Sequence, residues 1–281
     1  MDEKHRFHEY FDGKILYGAD FDDEKIVEWF EMEREAYAGL WGAITYNKYA
    51  EHGVNIRHCY RFLPKKNNLR VLAIGSAYGE ELLPIKDHVK SFTVLEPSEM
   101  FIKSELFGIP TTYIKPNPLG EFPFSEESFD LIVCFSVLHH IPNVPKIISE
   151  ISRCLVTGGY AVLRDPIISL GDWRTSRKGL TQNERGIPLS IYRSTIKSAG
   201  LKIVEENLCI FSIWNRIGSI LHIAPLNNPI LVIIDSILCS LLFWNYTYHS
   251  TKWWQKIQPT SIAYVLSKED NISQNSCADR Q

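Results

Sequence analysis

The chain lacks an excess of either charge: 30 lysines and arginines stand against 33 aspartates and glutamates, a formal net charge of −3 at pH 7. Nucleic-acid binding generally needs a basic face, so DNA and RNA are not the expected partners. The six cysteines, at positions 59, 134, 154, 209, 239 and 277, form no C-x-x-C pair and show no zinc-ligand spacing. They read as reduced thiols, which argues against a disulfide framework and against a metal centre. No uninterrupted apolar run reaches the roughly eighteen residues that a membrane-spanning helix needs. The first 23 residues are rich in charge and aromatics and lack the apolar stretch of a secretory signal. A cytoplasmic protein is the expectation.

What is present is a globular composition. The 281 residues are 45% hydrophobic and 22% charged, enough for one elaborated domain with a substantial core. The most informative stretch begins at residue 69. Residues 69–74 are apolar except for Arg70 and run into Gly75-Ser76-Ala77-Tyr78-Gly79 and then Glu80-Glu81. This reads as a strand, a sharp turn of small residues and a helix start. Such a turn lets a ligand lie against main-chain N–H groups. A second strand over 91–95 delivers Glu96, about twenty residues past the first glycine, where folds that bind adenosine cofactors place a carboxylate on a pair of ribose hydroxyls. The glycines alone fit any tight strand-to-helix connection equally well.

Downstream stand Phe122-Pro123-Phe124, Ser128-Phe129-Asp130-Leu131, Leu138-His139-His140-Ile141-Pro142 and Leu155-Val156-Thr157-Gly158-Gly159. Together with the glycine turn, this progression resembles class I S-adenosylmethionine-dependent methyltransferases, in particular the small-molecule, type 11-like group. The resemblance covers residues 65–165. It implies an α/β fold, a seven-stranded Rossmann-like sheet with helices on both faces, to which this chain is expected to add an N-terminal helical cap and, where the family turns directly back, a helical insertion before the last strand. The corresponding division is a cap over 1–64, a core over 65–210, an apolar helical insertion over 211–258, the final strand over 259–267 and a flexible tail over 268–281.

The resemblance also carries site residues. Gly75, Ser76 and Gly79 match the turn around the methionine moiety, and Glu96 matches the acid on the ribose. Pro97 follows it beside the adenosine, with Ser98 next. Asn117 and Leu119 match the loop that reads the adenine edge. Phe135 and Ser136 match the end of the strand that passes beneath the cofactor. S-adenosyl-L-methionine is the implied cofactor, with no metal, and the implied reaction is methyl transfer to a small-molecule acceptor. The chain departs from the pattern at two places. Ala73 stands where the family has an acid before the first glycine, and Ala77 where it has a middle glycine. Glu80 or Glu81 could supply the missing carboxylate.

If the acceptor is a hydroxyl, a base must take its proton. The candidates are His139, His140 and Asp165, with His52 a further one. The segment 171–186 is polar and basic and carries Trp173, Arg174, Arg177, Lys178, Glu184 and Arg185. It lies past the strand ends, so Arg174, Arg177 and Arg185 are the candidate contacts to an anionic or sugar-like acceptor. A solvated charged loop is the plainer alternative.

Ahead of the sheet, Ile26, Trp29, Phe30, Tyr37 and Leu40 recur at helical spacing. Tyr46, Tyr49 and His52 follow at three-residue intervals, either as a packing face or facing the cofactor. Within the insertion, residues 229–244 are nearly continuous apolar sequence around Asp235. On a helix, Asp235, Ser236, Cys239 and Ser240 share one side, and a helix largely buried against the core is the expectation. A weak peripheral membrane contact through Trp244, Trp253 and Trp254 is the minority reading. Two competitors to a soluble small-molecule enzyme stay open: a non-catalytic cofactor-binding scaffold, motivated by Ala73 and Ala77, and a membrane-associated quinone or lipid methyltransferase. Oligomeric state and acceptor atom are not legible.

Overall fold

The computed structural model describes residues 3–43 and 49–269. Its centre is one sheet in the order β3-β4-β2-β1-β5-β6-β8-β7. The strands are β1 (Leu69–Ile74), β2 (Val89–Leu95), β3 (Glu105–Leu106), β4 (Ile109–Ile114), β5 (Phe129–Phe135), β6 (Leu155–Pro166), β7 (Leu201–Phe211) and β8 (Pro259–Lys268). The strands from β4 to β6 pair in parallel, and β8 runs antiparallel between β6 and β7. Eight strands replace the expected seven because β3, two residues long, adds an antiparallel edge to β4. So short a segment leaves no period-2 pattern to read.

The helices are α1 (Glu3–Phe11), α2 (Asp23–Ala43), α3 (His52–His58), α4 (Val144–Cys154), α5 (Leu189–Ser198), α6 (Trp214–Leu221) and α7 (Pro229–Leu241). Alternate residues of the central strands feed two cores, as strand geometry requires. Leu72, Ile74, Ile132 and Cys134 pack on one face with Ile147, Ile148 and Ile151 of α4 and Tyr192 of α5. Val71, Ala73, Leu131 and Val133 pack on the other with Val54 of α3, Trp214 of α6, and Val232 and Cys239 of α7. Asn143 starts α4 by accepting a hydrogen bond from the Lys146 N–H, with a proline in the first turn.

The sequence expectations need three corrections here. The helix after the glycine turn is a 3-10 helix, Glu80–His88, with Pro84 inside it. Proline has no N–H to give to an α-helical ladder. The insertion helix α7 is also not largely buried. The side bearing Asp235 faces the fold, with Val232, Asp235 and Cys239 buried, while Ile230, Ile233, Ile234, Ile237 and Leu241 are exposed. Finally, the basic segment 171–186 is solvated only in part, with Arg174, Lys178 and Gln182 exposed. Trp173 is buried and stacks on Phe11 and Tyr17, so the segment ties the N-terminal helices to the core. Tyr46 and residues 270–281 lie outside the described residues, as do the side chains of Tyr37 and Leu40. Among the described residues no helix is long and apolar enough to cross a membrane.

Candidate cofactor and active site

The parallel strands β1, β2 and β5 end on one rim, and a cavity opens there. Gly75, Glu96, Pro97, Asn117 and Ser136 line it, each at or just past the carboxyl end of a strand. Gly75 takes φ +62°, and a Cβ added there would come within 2.7 Å of Val137 Cγ2. The turn therefore needs glycine for conformation and for space. Gly79, at φ +71°, packs as closely against Leu106. Ser76, Gly79, Leu119 and Phe135 belong to the same turns and strand end but do not line the cavity. The Leu119 N–H donates to Asn117 Oδ1 at 2.9 Å, which fixes the loop that presents Asn117. Phe135 is buried beneath Tyr60 and Arg164.

Glu96 is buried, and its two oxygens are held separately. Oε2 accepts from the Ala77 N–H at 3.0 Å and Oε1 from the Ser98 N–H at 3.1 Å. Burial pushes the carboxyl up while the Ser98 and Ala77 N–H groups pull it back, and the balance lies above the ordinary value. Each oxygen keeps a lone pair beyond its one main-chain donor, so a hydroxyl pair can be accepted side by side. Ala77 holds the left-handed conformation, φ +43°, that a glycine would take without strain. Its methyl therefore leaves the turn intact. Ala73 is fully buried in the core cluster with Val54 and Tyr60. Past the turn, Glu81 is buried at the start of the 3-10 helix. Burial pushes Glu81 up to about 7, and the Ser76 hydroxyl draws it back down.

The histidine pair sits between the cavity and the 171–186 segment. Asp165 Oδ1 receives the His139 N–H at 3.2 Å and its Nδ1 at 2.8 Å, and Glu184 Oε1 lies 3.5 Å from Nε2. Burial opposes a charge on His139, but the hydrogen bonds to Asp165 and Glu184 outweigh it and raise the ring to about 9. His139 is thus a buried cation at neutral pH. His140 lines the cavity and places Nδ1 2.8 Å from Glu33 Oε2. Burial and then the neighbouring His139 charge lower its pKa, with Glu33 resisting, so it is neutral at pH 7. Donor atoms of His139, His140 and Glu184 lie within 4.8 Å of one another, a set able to hold a cation. The protonated His139 ring already supplies a positive charge to Asp165 and Glu184.

Of the three arginines read as acceptor contacts, two are engaged inside the fold and one at the surface. Arg185, fully buried, donates to the carbonyls of Tyr17, Leu138, His139, Ile141 and Pro142. Arg177 donates to those of Leu170, Thr181, Gln182 and Glu184. Arg174 pairs in a fork with Asp172 over the rings of Phe7 and Phe11.

Sequence reasoning missed the contribution of α2. Phe30, Glu33 and Arg34 line the cavity, and Trp29 Nε1 donates to the His140 carbonyl at 2.7 Å. Glu33 also accepts from the Thr181 hydroxyl and the Asn183 N–H. The signal was there: Glu33 falls seven residues after Ile26, on the stripe of Trp29 and Phe30, and an acid on an apolar stripe has an inward partner. Arg164 was missed as well. It is buried on β6, donates to Asn55 Oδ1 at 2.8 Å and pairs with Glu51, which anchors α3 over the sheet. Tyr49 accepts from Asn55 Nδ2 at 2.8 Å, and His52 packs against the Tyr49 ring.

Among known proteins, a family model described as a methyltransferase domain matches residues 46–205. A sterol 4-C-methyltransferase of Caenorhabditis elegans is 29% identical over 136 residues, which is 46% of this chain and 40% of that one. A phthiotriol/phenolphthiotriol dimycocerosates methyltransferase of Mycobacterium ulcerans is 25% identical over 169 residues, 56% of this chain and 62% of that one. The matches cover between 40% and 62% of the length of these curated relatives. In fold, the chain is similar to a putative methyltransferase of Bacillus halodurans, with a TM-score of 0.52 and 16% identity over 75% of this chain and 97% of that one. It is also similar to a Haemonchus contortus phosphoethanolamine N-methyltransferase solved with S-adenosylhomocysteine, with a TM-score of 0.56 and 15% identity over 87% and 60%. The family match spans more than half of the sequence and takes in the glycine turn, Glu96 and both histidines, and on it the chain belongs to the class I S-adenosylmethionine-dependent methyltransferases.

Proposed function

We propose that the protein transfers the methyl group of S-adenosylmethionine to a hydroxyl of a small acceptor. The observation that carries this reading is the Glu96 carboxylate, held by two main-chain N–H groups yet lining the strand-end cavity. Glu96 would take the ribose hydroxyls and Asn117 the adenine edge. Glu81, beside Ser76, would answer the charged amino end that Ala73 leaves without an acid. The bound cofactor supplies a methyl group on a sulfonium, open to in-line attack by a positioned nucleophile. For that attack the acceptor hydroxyl must lose its proton. His140 is suited to take it, being neutral and lining the cavity, with its ring held through Nδ1 by Glu33. His139, held charged, cannot accept a proton and serves instead to fix Asp165 and Glu184.

An anionic, sugar-like acceptor was suggested by Arg174, Arg177 and Arg185. Arg177 and Arg185 are engaged within the fold, and Arg174, its side chain 55% exposed, pairs with Asp172 at the surface. A second reading, an apolar acceptor, is favoured by the relatives whose names give a sterol or phthiotriol substrate. Titration of the purified chain with S-adenosylmethionine by calorimetry tests the cofactor site. Glu96→Ala should weaken binding by about 1.5–3 kcal/mol, the range for hydrogen bonds to a charged group. Folded protein that gives no heat would sink the reading. Labelled methyl transfer to a panel of hydroxylated lipids and acidic sugars then separates the two acceptor classes. On the acceptor found, His140→Gln should lower kcat by roughly 10²–10⁴ with cofactor affinity unchanged. A loss of only a few-fold would assign the rate to alignment alone.

A further inference from the structure

The insertion between β7 and β8 carries a helix that is apolar on its outward side as well as its inward one. On α7 the inward side mixes apolar Val232 and Cys239 with polar Asp235 and Ser236. Asp235, 0% exposed, accepts from the Ile210 N–H at 2.9 Å, the Phe211 N–H at 2.7 Å and Trp214 Nε1 at 2.7 Å. Ser236 accepts from Arg57 Nε at 3.0 Å. The outward stripe is Ile230, Ile233, Ile234, Ile237 and Leu241, the i, i+3, i+4, i+7 spacing that ordinarily faces a core. Ile230 is 68% exposed, and the end of α6 adds Ile220 at 75%. Past α7, Trp244 and Trp253 are 78% and 77% exposed. Of the 22 large apolar side chains exposed among the described residues, 14 fall between 213 and 257. A patch of this kind in one short segment marks an interaction surface.

Charge narrows the choice of partner. Between residues 207 and 267 the only acid is Asp235, which is sealed inside, whereas Arg216, Lys252 and Lys256 are exposed. Against the chain's net −3, the apolar face sits in a segment whose exposed charged side chains are all cationic. Arg216 and Lys256 line a cleft with Ile213, Trp253 and Ile257, so cations and apolar side chains meet on one rim. Pairing with a second copy through the same patch would set these cations against each other, with no carboxylate on the face to answer them. An anionic lipid surface meets every feature: headgroups for the cations, the interfacial zone for the tryptophans and the acyl boundary for the isoleucine stripe. We infer that the α6–α7 insertion and the turn bearing Trp253 dock the protein on an anionic bilayer, lying in the interface and not crossing it. Thirteen residues of α7 extend only about 20 Å, short of the roughly 30 Å hydrocarbon core.

The test is flotation of the full chain with vesicles of phosphatidylcholine alone and of phosphatidylcholine mixed with phosphatidylglycerol. Binding should favour the mixed vesicles and weaken as salt rises. Lys252→Glu with Lys256→Glu should reduce affinity for the mixed vesicles by roughly thirtyfold or more. Ile234→Ser with Ile237→Ser should remove binding to both. Those positions face outward, so the fold should survive, as shown by an unchanged S-adenosylmethionine titration. Wild-type protein that stays with the unfloated fraction at low salt would overturn the proposal. So would a dimer in light scattering that Ile237→Glu converts to monomer, because a second copy would then be the occupant. Docking does not depend on methyl transfer, and the cofactor titration on the same sample keeps the two failures apart.

Discussion

Glu96 and Asp235 are the same device used to opposite ends. Both are buried carboxylates that accept main-chain N–H groups at a strand end, and burial raises both above the usual carboxylate range. Glu96 takes two donors, one per oxygen, and lines a cavity. Asp235 takes two N–H groups at the end of β7 and the Trp214 indole, with the Cys239 thiol 3.7 Å away, and is sealed from solvent. A buried acid with acceptor capacity left over can bind a ligand. One whose capacity is filled by the fold fastens an element, here the insertion, in place.

The widest separation between the two should come from Asp235→Ala. It leaves three buried donors without an acceptor, each costing about 1–3 kcal/mol, so a loss on the order of 3–5 kcal/mol is expected in the urea midpoint. In whatever fraction remains folded, S-adenosylmethionine affinity should hold. Weakened cofactor binding with an unmoved midpoint would break the distinction, since Asp235 would then be acting at the site.

The histidine cluster offers a third case, in which charge fills the capacity. His139 is raised from 6.5 to about 9, so the folded state holds that proton more tightly than the unfolded chain does. Its contribution is fully present below pH 6.5 and is lost as pH rises through about 9. For Glu184 burial pushes the carboxyl up, but the His139 hydrogen bond and the histidine charges hold it down, from 4.5 to about 2. Its contribution is present above pH 4.5 and is lost as pH falls toward 2. Stability should therefore peak between these limits. Thermal melts taken from pH 6.5 to 9.5 should show a decline on the order of 2–3 kcal/mol that His139→Asn abolishes. An equal decline in the variant would assign the titration elsewhere.

How far the sequence reached follows the same line. The central strands were legible because both faces of a parallel sheet are covered and the apolar runs are nearly unbroken. The cofactor rim was legible because chain order alone brings Gly75 and Glu96 to neighbouring strand ends, β1 beside β2. Direction was harder to read. That α7 carries a polar side was visible, but which side faces in depended on the N–H groups of Ile210 and Phe211 waiting beneath it. The guanidiniums of Arg177 and Arg185 read as free because nothing local shows that distant carbonyls will claim them. Glu33 was within reach and overlooked, since the apolar stripe of α2 was followed past the one acid on it.

The smallest effect bears on the Glu96 side. Ala77 donates to Glu96 Oε2 from a backbone at φ +43°. A left-handed conformation costs an L-residue about 1–2 kcal/mol, and glycine removes that strain while giving back roughly 0.5–1 kcal/mol of unfolded-chain entropy. Ala77→Gly should therefore stabilise by about 0.5–1 kcal/mol in the urea midpoint. The donor N–H is kept, so cofactor affinity should change little. Destabilisation instead would mean that the buried Ala77 methyl packs well enough to offset the strain. A loss of affinity would mean that this methyl, placed where the family has glycine, holds the turn in the shape that aims the N–H at Glu96.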